Sequence, residues 1–279
     1  MMYNKYLYVL LVATGLVVGC SKFSTTISHD PFGDATDQQT ININTSEAGA
    51  PNAHCPAEME EVRGSYCPNV VQNCLRWLDA DTRPEANGGI GPMRCAEFEK
   101  PTKCIGDRTY MHFCMSKFEY PGTEGSYPRV GINYYEAKRI AETNGYRLCS
   151  KDEFNFACEG EEAHPYGYGD GFHRDAEICN IDKPWTDYNK FPPSSWNDRD
   201  AGLYQGVPST SSSKCKSVFG IYNLNGNVDE ILDSEGHKNV ILSGGYWSVV
   251  RARCRPLTTS HSKDFSFYQI GFRFCSNVK

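Results

Sequence analysis

The sequence has no C-x-x-C pair and no H-x-x-x-H pair, so it lacks the ligand spacing of a zinc ribbon, a thioredoxin-type redox centre or a two-histidine metal helix. It has no basic stripe either, and its net charge is only −6, which removes nucleic acid from the expected partners. Long hydrophobic runs are missing as well. The one apolar stretch, from about Tyr6 to Val18 in MMYNKYLYVLLVATGLVVGC, falls short of the roughly 20 residues that a resident membrane helix needs. Histidine is sparse and single: His112, His164, His173, His237 and His261 stand far apart, as surface or hydrogen-bonded residues do.

Cysteine, by contrast, is plentiful, with thirteen copies. The short apolar run reads as the h-region of an export signal. Val17-Val18-Gly19-Cys20 resembles a bacterial lipobox, in which the signal is cut before a cysteine that then receives acyl chains such as palmitate. The expectation is a signal peptide over 1–19, lipidation at Cys20 and a membrane held through that anchor. Ser21 in place of aspartate points to the outer membrane. The alternative is an ordinary signal peptide with Cys20 free or paired. With Cys20 lipidated, twelve cysteines remain of the thirteen, an even number, and export puts them where disulfides are the default state.

Residues 20–54 are polar, with scattered apolar residues and no sustained period, so they cannot bury enough surface to offset ordering and read as a flexible tether. One domain is expected over 55–279, with a cysteine-rich cap at about 55–114. Regular elements look short. Asn133 with Glu136 three residues on, and Ser150 with Glu153, are helix N-terminal signals, and Gly145 and Gly160 are the matching stops. β-like runs cover Asn239–Leu242 and Phe267–Phe274, while Asp187–Lys214 has no helical period. A domain with so much loop needs crosslinks or bound ions.

The order of motifs is familiar. Phe113-Cys114, Phe118-Glu119-Tyr120, Arg147 to Phe154, Tyr166-Gly167, Gly226-Asn227-Val228-Asp229-Glu230, Gly244-Gly245-Tyr246-Trp247 and Gly271-Phe272-Arg273 together resemble the formylglycine-generating enzyme family, or sulfatase-modifying factors, over roughly Glu58 to Cys275. The resemblance implies an α+β fold, C-type-lectin-like, with little regular secondary structure. It also implies two copper-binding cysteines between the double glycine and the Arg-x-Arg-Cys element. Here that interval, Tyr246 to Arg253, contains no cysteine, so copper is not expected, and iron is not expected because relatives that use it hold it on a histidine-rich helical domain, for which no H-x-x-x-H is present. Cys254 and Cys275 fall on the family's structural cysteines, which implies the pairs Cys158–Cys254 and Cys149–Cys275. Cys179 and Cys215 then remain for each other, and the six cap cysteines have fifteen connectivities open to them.

The resemblance further implies calcium at the loop 225–230, with Asn225, Asn227 and Glu230 as side-chain ligands and a carbonyl from Gly226 or Val228. Asp229 stands where the family has tryptophan. A second ion position would use Asn180 and Ile181 with Asp200. The competing reading is that Asn227 and Glu230 cap a short helix at Ile231-Leu232. The late segment would face a ligand through Tyr246, Trp247, Arg251, Arg253 and His261. A glycan, a peptide or an envelope protein suits such a surface, although core packing claims at least half of the aromatics Tyr246, Trp247, Phe265, Phe267 and Tyr268. The expected protein is thus a lipid-anchored binding module without catalytic residues. The alternatives are an oxidoreductase of the same family that acts without the cysteine pair, and a structural envelope component.

Overall fold

Asn133 and Ser150 each end an extended stretch and open a helix in the computed structural model, which describes residues 54–79, 94–184 and 203–279. The Asn133 side chain accepts from the Glu136 amide at 3.0 Å, and helix α1 follows as Tyr134–Thr143. Its buried residues Tyr134, Ala137, Ile140 and Ala141 recur at helical spacing and face the core. Ser150 forms both halves of a capping box with Glu153, opening α2, Lys151–Glu159, and Gly160 at φ +67° ends it. Every residue of α2 from Glu153 to Glu159 is buried, so packing on all sides supports this short helix.

The strands are β1 (Met59–Tyr66), β2 (Asn69–Val71), β3 (Cys74–Trp77), β4 (Cys95–Phe98), β5 (Lys103–Ile105), β6 (Thr109–Ser116), β7 (Arg147–Leu148), β8 (Asp229–Leu232), β9 (Ile241–Ser243), β10 (Leu257–Thr258), β11 (Ile270–Gly271) and β12 (Phe274–Asn277). One sheet has the order β1-β6-β12-β7 and a second β10-β9-β8-β11, while β2-β5 and β3-β4 are two-stranded ribbons of the cap. Alternation along β6 sends Phe113 and Met115 into a core with Phe154 and Phe156, and Cys114 into another with Ile132, Tyr134 and Ile140. The first sheet therefore divides two hydrophobic clusters.

Two sequence expectations change here. Ile231 and Leu232 are strand, not helix: β8 runs parallel to β11 and antiparallel to β9, and its alternating side chains enter the two clusters. The apolar run Phe267–Phe274 is interrupted rather than continuous. Within it only Ile270–Gly271 and Phe274 are strand; at Phe272-Arg273 the Phe272 carbonyl accepts from the Tyr120 amide at 2.7 Å and the Arg273 side chain turns inward. The described part of the long irregular stretch, 203–214, holds neither helix nor strand.

Six disulfides pair all twelve cysteines of the described residues. The cap is closed by Cys55–Cys114, Cys67–Cys104 and Cys74–Cys95. Cys149–Cys275, Cys158–Cys254 and Cys179–Cys215 join the body, and these are the three pairs expected there. The signal peptide, Cys20, all but the last residue of the tether, and Asp200 lie outside the described residues. Among the described residues no helix is long and apolar enough to cross a membrane.

Candidate functional site

The double glycine shapes the site. Gly244 and Gly245 both take positive φ, +86° and +72°, a conformation that costs a residue with a Cβ. A Cβ on Gly245 would also lie 2.8 Å from the Ala252 Cα. The chain thus doubles back on itself over residues 245–252. Arg174 secures the return by donating to the carbonyls of Val250, at 2.9 Å, and Ala252, at 3.2 Å. Asp182 holds Arg174 in turn. Just beyond, the Cys254 amide donates to Pro165 O, and its sulfur is fixed to Cys158 at the end of α2.

The expected ligand-facing residues divide. Tyr246 and Trp247 are buried, Trp247 at 1% exposure, in a cluster with Leu203, Val228 and Tyr268. Trp247 meets Tyr204 edge-on at 4.9 Å and stacks on Tyr268 at 5.9 Å. Both therefore belong to the core, because neighbours distant in sequence close over them. Arg251, Arg253 and His261 keep partial exposure. His261 stacks at 3.9 Å on Phe265, away from the contacts of Arg253. Arg253 lies 5.1 Å over the Phe98 ring and donates to Gln72 Oε1 at 3.1 Å.

Behind the loop stands Asp229. It is 8% exposed, and burial pushes its carboxyl up to about 7 against the pull of the Gly245 amide and the Arg251 charge. Deeper in the domain, both Glu230 oxygens meet Arg273 at 2.6 Å, and both residues are 1% exposed. Glu119, which accepts from Asn227 at 2.8 Å and Asn223 at 3.2 Å, is pushed up to about 7, chiefly by burial. Arg255 grips Glu159 and the carbonyls of Cys67 and Pro68, tying the loop's end to the cap.

The loop 225–230 does not fit calcium. Asn225 Oδ1 accepts from the Gly167 amide, and Asn227 Oδ1 from Asn180 and Val207. Glu230 is neutralised by Arg273, which occupies the place of a cation. The Gly226 amide donates to Gly244 O and the Asn227 amide to Asn180 O, so this loop is an internal brace. At the second position Asn180 Oδ1 is buried without a hydrogen-bond partner. Among the described residues this is one orphan oxygen, where calcium takes six to eight, and Asp200, the carboxylate expected at this position, lies outside them. The histidines remain dispersed, with His112 on Glu61, His173 between Asp170 and Glu97, and His164 against Phe172.

Residues that sequence reasoning missed include Arg174, Asp182, Glu159 and Gln72. None sits in a motif that marks its role. Glu119 was in view within Phe118-Glu119-Tyr120, without any sign of its partners.

A sequence model of the sulfatase-modifying factor enzyme 1-like domain matches residues 95–278. The chain belongs to the sulfatase-modifying factor family. Its sparse helices, short sheets and six disulfides are this chain's version of the C-type-lectin-like family fold. The match begins at Cys95, so the first part of the cap precedes it. Similar solved structures include PvdO from Pseudomonas aeruginosa, 14% identical, with 78% of this chain and 94% of that chain covered and a TM-score of 0.45. CarF is 15% identical over 80% of this chain and 99% of that chain, TM-score 0.47. Treponema denticola variable protein 1 is 12% identical over 67% and 93%, TM-score 0.42. No curated protein sequence matches the chain.

Proposed function

We propose that this sulfatase-modifying factor domain is a binding module that lacks thiol-based copper oxidation and is carried on a lipid anchor in the cell envelope, at the outer membrane. The observation that carries this reading is the sulfur inventory. The twelve described cysteines are consumed in six disulfides, and the interval Tyr246–Arg253 supplies no other thiol. A thiolate is the nucleophile and the soft ligand that copper chemistry of this type requires. Cys254 serves as a staple between α2 and the loop. The partly exposed Arg251 and Arg253 are the polar groups that the bent loop offers to a ligand, while Trp247 supports it from below.

The deciding test is thiol titration of the denatured, unreduced mature protein together with metal analysis. The expected result is no reactive thiol in the domain and no stoichiometric copper. Two titratable thiols with bound copper would return the chain to the oxidases. The anchor is tested separately: palmitate labelling in cells should be lost in Cys20→Ala, and retention of label in that variant would remove it.

A further inference from the structure

Seven described arginines are buried or half-buried: Arg94, Arg147, Arg174, Arg251, Arg253, Arg255 and Arg273. Five of these form ion pairs, with Asp79 and Asp182, Glu153, Asp182, Glu159 and Glu230 respectively. Arg251 has Asp229 nearby. Arg253 differs, because its contacts are a neutral amide oxygen and an aromatic face. Gln72 Oε1 is held toward Arg253 because the Nε2 of the same amide donates to Ala163 O at 3.0 Å.

The surroundings sharpen the imbalance. Burial lowers the Arg253 pKa; the Tyr166 phenol opposes this, and the charges of Arg251, Arg174 and Arg255 add to it. Asp182 is shared between Arg94 and Arg174, and both Glu159 oxygens are taken by Arg255. The loop therefore presents a guanidinium fork with positive neighbours and no carboxylate of its own. A fork of that kind is matched by a planar or tetrahedral oxyanion, which accepts parallel N–H bonds.

We infer that Arg253, assisted by Arg251, anchors an oxyanion, the carboxylate or phosphate group of a ligand lying across the Gly245–Arg255 loop. This inference rests on the binding function proposed above and names its chemistry. The ring of Phe98 beneath the guanidinium holds the fork flat, and Gln72 fixes its rotation.

The test follows arginine side-chain Nε–H signals by NMR in labelled full-length protein in neutral detergent. Inorganic phosphate and sodium acetate are titrated separately at constant ionic strength, which separates the two sources of an oxyanion. The Arg253 signal, assigned by its loss in Arg253→Lys, should shift saturably with at least one of them. The lysine variant keeps the charge but not the fork, so its affinity, read from backbone amides of 245–255, should fall roughly tenfold. If the Arg253 signal moves no more than that of exposed Arg76, the oxyanion site is refuted. A parallel titration with neutral N,N′-diacetylchitobiose separates the two claims. If the loop responds to the sugar and not to the anions, the oxyanion site falls and the binding function stands; if it responds to neither, both fall. Should the variant fail to fold, the Arg253 signal is assigned in the wild type by its nuclear Overhauser contacts to the Phe98 ring, and the wild-type titration decides the matter.

Discussion

Arg273→Met removes the guanidinium that meets both oxygens of Glu230 at 2.6 Å. The same side chain donates to Ser116 O at 3.2 Å and Tyr222 O at 2.9 Å, so it joins β6, β8 and the preceding loop. Glu230 would be left buried, with Glu119 as a like-charged neighbour. Removing one partner of such a pair costs about 3–5 kcal/mol. At about 2–4 °C per kcal/mol for a domain of this size, the expected loss is roughly 6–20 °C in Tm. Thermal and urea unfolding with disulfides intact, at pH 8 and pH 5, measure it. The sign with pH follows from Glu230, whose folded pKa in the variant rises above its unfolded value. The destabilisation is therefore full at pH 8 and shrinks as pH falls toward the unfolded carboxylate pKa. Arg273→Met/Glu230→Leu should recover most of the loss, since no charge then remains unpaired. A single variant as stable as wild type at pH 8, or a loss unchanged at pH 5 with no recovery in the double variant, would refute the ion pair as the brace.

Gly245→Ala should destabilise by roughly 2–3 kcal/mol in urea, combining positive φ with the 2.8 Å approach to Ala252. Gly236→Ala, at φ +78° with nothing within 4 Å, should cost only about 1 kcal/mol, and equal costs would dismiss the close approach. Asp229 is raised to about 7 by burial, so its contribution is fully present below the unfolded carboxylate pKa and is lost as pH rises through about 7. Wild-type Tm should fall over that window, and Asp229→Asn should flatten part of the slope, worth on the order of a few kcal/mol; identical profiles would count against it. Cys158→Ser/Cys254→Ser opens a loop of 96 residues and should lower the guanidinium midpoint by the equivalent of about 2–5 kcal/mol.

The helices were readable because their signals are local. Asn133 and Ser150 act on amides three residues away, and Gly160 takes the positive φ that its position in the sequence suggests. The break in the run Phe267–Phe274 was not readable, because Arg273 turns inward to meet Glu230, 43 residues distant. The same distance effect governs Trp247. An aromatic residue flanked by serine and arginine reads alike on a ligand surface and in a core, and only the approach of Leu203, Val228 and Tyr268 decides for the core. At 225–230, asparagines and a glutamate suit a hard cation by chemistry. Which cation neutralises Glu230 depends on a chain crossing that no local pattern contains.

Sulfur and charge bear independently on the loop after the double glycine. Bridging of every described cysteine removes the soft ligands, but that concerns what the loop lacks. The alternation Arg251, Arg253, Arg255 concerns what it has. A copper ion brought to a thiolate pair there would meet the Arg253 guanidinium, whose neighbouring carboxylates Asp182 and Glu159 are already engaged by Arg174 and Arg255. A like charge about 4 Å away near a protein surface opposes a cation by about 4 kcal/mol, and the same sign of field favours an anion. Charge therefore acts beside sulfur in this loop, and a variant carrying two new cysteines between Tyr246 and Arg253 should bind copper more tightly when Arg251 and Arg253 are neutralised with them.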